Sequence, residues 1–130
     1  MAETITCSHI VQIGAGIQLT TSSAIPVDAF DVVELEIADA AADVEVQVQP
    51  AATPGLLKVL AITASAYSAD LTYKVNDATA TEHPLDAPQV FTGDGAIALL
   101  DANPPTALFL SNATGAPVTV KILAGRDATP

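Results

Sequence analysis

Cys7 and His9 have the residue types and spacing that come closest to a reactive site. A cysteine beside a histidine can form a reactive thiolate or supply two metal ligands. Both lie on one face of a predicted strand from Thr4 to Ile13, about 6 to 7 Å apart along it. The other histidine is His83, so a metal site would need carboxylates from elsewhere in the chain. We interpret Cys7 as a structural cysteine, buried among aliphatic side chains of the same strand.

Two pairs of acidic residues have the chemistry of a calcium site. Asp28 with Asp31, and Asp39 with Asp43, could supply the oxygen ligands that hard cations take. Their spacing is not that of a calcium-binding loop, and acidic loops are expected in a chain of formal charge −11. We interpret all four as solvated carboxylates and expect neither a metal nor another cofactor.

Motifs for catalysis are missing from the sequence. Glycosidases need two carboxylates across a sugar-binding cleft, but the chain has no Trp and few aromatic residues to stack on a sugar. Ser22, Ser23 and Ser111 lack the context of a nucleophile elbow. Gly14-Ala15-Gly16 lacks the third glycine of a phosphate loop and precedes a strand, so it predicts a turn. We expect a protein that is not an enzyme, with no catalytic or cofactor-binding residues.

The charge balance excludes two classes of partner. The chain has 15 Asp and Glu residues against 4 Lys and Arg, so DNA, RNA and anionic membranes should repel it. No apolar run approaches membrane-spanning length. The acidity is explained by solubility, although high environmental salt would also fit. The start of the sequence shows no secretory signal and Cys7 is a lone cysteine, so we expect synthesis in a reducing cytoplasm.

Alternating apolar residues predict strands. The segment from Thr106 to Gly125 has two apolar runs around the turn residues Asn112 to Gly115, which predicts a β-hairpin. The segment 30–49 repeats this plan and predicts a second hairpin. The inward-facing residues of both should form one buried layer: Val44, Val46, Val48, Val118, Val120 and Ile122.

Other segments predict further short strands. The strand from Thr4 to Ile13 should be half-buried, with a short partner at 17–20 followed by a polar loop at 21–28. The segment from Gly55 to Ala64 could begin as a helix, but its β-branched residues favour a strand buried on both faces. The run around Asp94 and Gly95 is either a short strand connection or a single helical turn.

Together these elements predict an all-β fold. About nine short strands without a long helix indicate a single antiparallel β-sandwich over residues 1–130, with 126–130 as a short exposed tail. Jelly-roll and immunoglobulin-like topologies both fit.

Some apolar residues lie where the strand alternation does not hide them. Apolar side chains on both faces of a strand imply a second contact surface, so we expect a homo-oligomer. The candidate interface residues are Leu56, Leu57, Ile97, Leu99, Leu100 and Phe109.

Parts of the C-terminal half resemble small virion proteins of tailed bacteriophages, and the nearest class is the capsid decoration, or cement, protein. The matching stretches are Ala69 to Asn76 (ADLTYKVN), Pro84 to Pro88 (PLDAP), Ala107 to Asn112 (ALFLSN) and Val118 to Ile122 (VTVKI). The resemblance does not extend to the N-terminal half.

The resemblance implies a non-enzymatic protein on the outer surface of an icosahedral head. Its partner would be the major capsid protein, and it would reinforce junctions between capsid subunits, commonly as a trimer. A phage tail or baseplate component is a near variant. A carbohydrate- or ligand-binding β-sandwich module is the alternative from another class.

Overall fold

A computed structural model describes residues 3–48 and 56–127 of the chain. These residues form ten strands and one short helix. In chain order the elements are β1 (Glu3–Ile13), β2 (Ile17–Val27), β3 (Ala29–Ile37), β4 (Val44–Gln47), β5 (Leu57–Ala64), β6 (Ser68–Val75), β7 (His83–Leu85), β8 (Gln89–Thr92), α1 (Gly93–Ile97), β9 (Ala107–Asn112) and β10 (Val118–Arg126).

Eight of these strands form two four-stranded sheets that pack against each other. One has the order β3-β10-β5-β8 and is called the β3 sheet; the other has the order β4-β9-β6-β7 and is called the β4 sheet. All of their strand pairs are antiparallel. The predicted all-β sandwich is confirmed.

The strand order identifies which of the two candidate topologies the body has. β3 pairs with β10, β4 with β9, β5 with β8, and β6 with β7. This is the pairing of one long antiparallel hairpin that has been folded across two sheets. Eight strands in this arrangement form a jelly roll.

Both hairpins predicted from the sequence are wrong. β9 and β10 lie in different sheets, and so do β3 and β4. The chain therefore crosses from one sheet to the other between β3 and β4, and again between β9 and β10. These two connections run side by side, because β3 pairs with β10 and β4 with β9. Alternation reports which side chains face the core, and two sheets that share one core give the same alternation as two strands of a hairpin.

The core lies between the two sheets and consists mainly of aliphatic side chains. The predicted layer is confirmed: Val46, Val48, Val118, Val120 and Ile122 are buried in it, and Val44 packs partly buried against it. The segment from Leu57 to Ala64 is a strand, as predicted, whereas Gly55 lies outside the described residues. Of the two readings around Asp94, the helical turn is the one observed, as α1.

Arg126 belongs to the folded body and not to a tail. It ends β10, and its guanidinium donates a hydrogen bond to the carboxylate of Asp31 on β3. The backbone N–H of Asp127 donates to the carbonyl of Leu56 at 2.8 Å. Residues 128–130 of the predicted tail lie outside the described residues. Among the described residues no helix is long and apolar enough to span a membrane.

Tyr73 gives the fold a dependence on alkaline pH. Its ring is buried in the core, its hydroxyl donates to Oε1 of Gln89, and burial raises its pKa to about 12 from an ordinary value of 10.0. Between these two values the unfolded chain releases a proton that the folded chain retains. The stabilisation is complete below pH 10 and is lost towards pH 12, by about 1.4 kcal/mol per pH unit.

We therefore expect the free energy of unfolding to fall between about pH 10 and 12, and Tyr73→Phe to remove most of that fall. Denaturant titrations at several alkaline pH values measure it. Tyr67→Phe is the matched control, because it leaves Tyr73 in place and should keep the slope. An unchanged slope in Tyr73→Phe would contradict the assignment.

Candidate functional site: the N-terminal arm

β1 and β2 form a separate two-stranded sheet, here called the arm. They pair over their whole length, from Glu3 with Val27 at the base to Ile13 with Ile17 at the tip. The predicted turn is confirmed: residues 14–16 connect the strands, and Gly14 has a φ of 55°, which favours glycine. The arm joins the body through Asp28, whose N–H donates to the carbonyl of Arg126 at 3.0 Å.

The arm contains more strand and is less buried than the sequence predicts. The predicted short partner at 17–20 continues to Val27, so the predicted loop at 21–28 is strand except for Asp28. The strand from Thr4 to Ile13 is mostly exposed and not half-buried. Serine and threonine in β2 indicate a loop when read alone, but each has a partner on β1 that completes the ladder.

The base of the arm packs against the outer face of the β3 sheet. Ile5 and Val27 approach Gly125 on β10, next to Val59 on β5. Val27 and Val59 are buried but do not belong to the main core cluster, so the arm base has a small apolar cluster of its own. The sequence predicts that the strand containing Val59 is buried on both faces. The arm base covers the outer face of this strand at Val59.

Gly125 lies directly beneath the arm base. A methyl group there would lie 2.5 Å from Cδ1 of Ile5 and 3.3 Å from Cγ1 of Val27. Because Cδ1 is the far end of the Ile5 side chain, we expect Gly125→Ala to turn this side chain away from β10, to loosen the arm base and to cost about 1 kcal/mol.

Hydrogen exchange measures the effect of Gly125→Ala, with faster exchange expected at the arm base than in the β4 sheet. Gly95→Ala is the control, because a methyl group at Gly95 meets no atom within 4 Å. Equal exchange in the wild type and in Gly125→Ala would show that the arm base does not rest on this glycine.

The tip of the arm exposes an aliphatic surface, here called the tip face. Cross-strand pairs place its members on the same side of the arm, and each is between 57% and 68% exposed. The tip face consists of Val11, Ile13, Ile17 and Leu19. The opposite side of the arm is polar near the tip except for Ile10, which is 65% exposed. The side that carries the tip face is also the side that packs on the body at Ile5.

The arm carries almost no charge. No Asp, Glu, Lys or Arg occurs from Thr4 to Val27, so every charged residue other than Glu3 lies outside the arm in a chain of formal charge −11. A two-stranded hairpin in water is marginally stable at best. An exposed aliphatic surface on an uncharged hairpin is typical of an element that contacts another protein.

The structure does not bury Cys7 in the core. Its side chain is half-buried on the arm, with exposed residues beyond it towards the tip, so the predicted buried position is wrong. His9 is exposed and pairs with Thr21, and Cys7 pairs with Ser23. Within the described residues no three His, Cys, Asp or Glu side chains form a group that could hold a metal ion.

Asp31, Asp39 and Asp43, which the sequence indicates to be solvated carboxylates, each have a partner inside the protein. Asp31 pairs with Arg126, and Asp43 lies 3.1 Å from Nζ of Lys74. Oδ1 of Asp39 accepts a hydrogen bond from the N–H of Gly115. These carboxylates hold strands and turns together while they stay exposed to solvent, as the sequence predicts.

The structure corrects part of the predicted interface. Leu57, Ile97 and Leu100 are buried in the chain's own core, so they offer no surface to a partner. α1 and the turn after it explain two of them, because a short helix hides residues that strand alternation would leave exposed. Of the other three, Leu99 is 82% exposed, whereas Leu56 and Phe109 are half-buried.

The outer face of the β3 sheet carries a second exposed aliphatic surface, here called the apolar row. Register places Val32 beside Leu123, Leu123 beside Ala61, and Ala61 beside Val90, across all four strands. Val32 is 52% and Val90 40% exposed. A shallow hollow at this row is lined by Val32, Ala61, Thr63, Lys121 and Leu123, without an aromatic ring.

Sequence reasoning missed both the tip face and the apolar row. The available signal for the arm was the absence of charge from Thr4 to Val27 in an otherwise acidic chain. Comparison with known protein families, curated proteins and solved structures finds no match to this chain. The described geometry offers two aliphatic surfaces for contacts with protein, and no cluster arranged for metal chemistry.

Proposed function

We propose that this protein is a non-enzymatic structural protein of a bacteriophage virion, which binds the outer surface of the head and stabilises it. The observation that supports this function best is the uncharged arm with its exposed aliphatic tip face. The major capsid protein is the proposed partner, and the outer capsid surface the proposed location.

The reach of the arm suits a protein that strengthens a lattice. Each of its strands has 11 residues, which corresponds to a length of about 36 Å. The tip face therefore extends well beyond the apolar cluster at the arm base. A subunit of this shape can hold protein that lies beside its own body, which is what reinforcement of a junction requires.

The body suits an outer position on the virion. Jelly rolls occur in viral capsid proteins, and the acidic surface is compatible with exposure to solvent. The fold supports the proposal by analogy alone, because lectins and enzymes use jelly rolls too. A ligand-binding module has less support, since the hollow on the β3 sheet is shallow and aliphatic.

Co-sedimentation tests the proposal. Purified protein is mixed with phage heads that lack it, and bound protein is measured after centrifugation together with the temperature at which the heads break. We expect saturable binding and a higher breaking temperature. Absence of binding to heads at micromolar protein would overturn the proposed function.

A shortened arm tests the supporting observation. Residues 10–20 are replaced by Asn-Gly, which closes a two-residue hairpin. The strand pairing at the base of the arm, from Glu3 with Val27 to His9 with Thr21, stays in place. We expect an unchanged body, by circular dichroism, and at least tenfold weaker binding to heads. Equal binding would show that the arm does not contribute to attachment.

A further inference from the structure

We propose that the tip face of one copy packs on the apolar row of another copy, so that the chains assemble by exchange of their arms. This inference rests on the proposed function in one respect: the arm would strengthen attachment to the head by joining neighbouring copies of this chain, while the body contacts the capsid. The assembly itself needs no capsid, and it can be tested on the purified protein.

The first argument is continuity with a contact that the chain already makes. At the arm base, Ile5 and Val27 pack on the outer face of the β3 sheet at Gly125. The tip face lies on the same side of the arm as Ile5, and the apolar row begins two residues from Gly125 along β10, at Leu123. One side of the arm and one face of the sheet are thus complementary at the base and exposed beyond it.

The second argument is that a single chain cannot join the two exposed surfaces. The ladder of the arm is unbroken from base to tip, so Ile13 lies about 26 Å from Ile5 along the strand. The tip face is exposed, and so are Val32 and Val90 at the two ends of the apolar row. A second copy supplies the row that the tip face lacks.

The third argument is electrostatic. Direct contact between two acidic bodies would bring like charges within the Debye length of about 10 Å at 0.1 M salt. The arm has no charged residue beyond Glu3, so its tip approaches a second body without this repulsion. The ion pair nearest the row, Lys121 with Glu34 at 3.7 Å, is neutral as a pair.

The contact joins two different surfaces, so it is heterologous and copies can close into a ring. The predicted trimer is one such ring. Assembly through arms also keeps the bodies apart, so we expect the mass of the complex to change little with salt concentration.

Sedimentation velocity of the full chain at micromolar concentration tests the inference with matched variants. We expect the wild type at a multiple of 13.2 kDa. Ile13→Glu on the tip face and Val32→Glu on the row should both sediment as monomers. Ile10→Glu is the control, because it adds the same charge at equal exposure on the opposite side of the arm, and it should stay assembled. Val90→Glu repeats the row test if Val32→Glu does not fold.

Mixing the two monomeric variants separates this contact from other modes of assembly. The Val32→Glu copy has an intact tip face and the Ile13→Glu copy an intact row, so the mixture should form a heterodimer. A monomeric wild type, a row or tip variant that stays assembled, a control that dissociates, or a mixture that stays monomeric would each overturn the inference. Head binding by a monomeric wild type would leave the proposed function standing without it.

Discussion

Asn112→Ala is expected to lower the free energy of unfolding by about 3 kcal/mol, which would make it one of the most damaging polar substitutions in the chain. The side chain of Asn112 is 1% exposed. Its amide donates to the carbonyls of Ile37 and Ala116, at 3.0 and 2.8 Å, and its Oδ1 accepts from Thr114. Truncation removes these buried hydrogen bonds where the two connections between the sheets run side by side.

Denaturant titration measures the loss, and Ser111→Ala is the matched control. Ser111 is the neighbour of Asn112 on β9 and accepts one exposed hydrogen bond, from the N–H of Asp43. We expect this control to lose less than about 1 kcal/mol. A similar small loss in Asn112→Ala would show that the two connections do not depend on this amide.

Asn76→Ala is expected to cost about 3 kcal/mol for two separable reasons. Asn76 has a φ of 69°, a conformation that alanine adopts with strain. Its amide donates to Oδ2 of Asp101 and to the carbonyl of Pro104, and its Oδ1 accepts from the N–H of Thr106 at 2.7 Å. These bonds hold the segment that leads from α1 into β9.

Asn76→Gly separates the two causes, since glycine accepts the positive φ but makes none of the side-chain hydrogen bonds. It should lose less stability than Asn76→Ala, by about 1 kcal/mol. Thermal or denaturant unfolding of both variants decides the point. Equal losses would mean that backbone strain contributes nothing at this position.

Local patterns in the sequence predicted the layers of the fold but not its connections. Val118 and Val120 face the core as their alternation with Thr119 predicts. The same alternation predicted that β9 and β10 pair with each other, which they do not. Pairing across a jelly roll joins segments far apart in the chain, and no short pattern records that partner. Asn112 shows the same limit. The sequence predicts a turn at this residue, whereas in the fold its buried amide links the two connections between the sheets.

The candidate site was hidden from sequence reasoning for a different reason. Alternation at Val11 and Ile13 predicts burial in the body, because a monomer usually exposes few contiguous aliphatic residues. Because β2 is rich in polar residues, the sequence predicts a loop over 21–28 and only a short partner strand at 17–20. A long hairpin is therefore not predicted. Only the ladder in the structure shows that both strands leave the body together.

The position of Gly125 connects the arm to the order in which the chain is synthesised. The arm precedes the body in the sequence, yet the surface beneath its base includes Gly125 on β10, the last of the described strands. Until β10 is made, β3 and β5 also lack the strand that lies between them. A nascent chain therefore contains both strands of the arm before it contains the glycine on which their base packs. Packing of the arm base on Gly125 therefore has to follow synthesis of the last described strand.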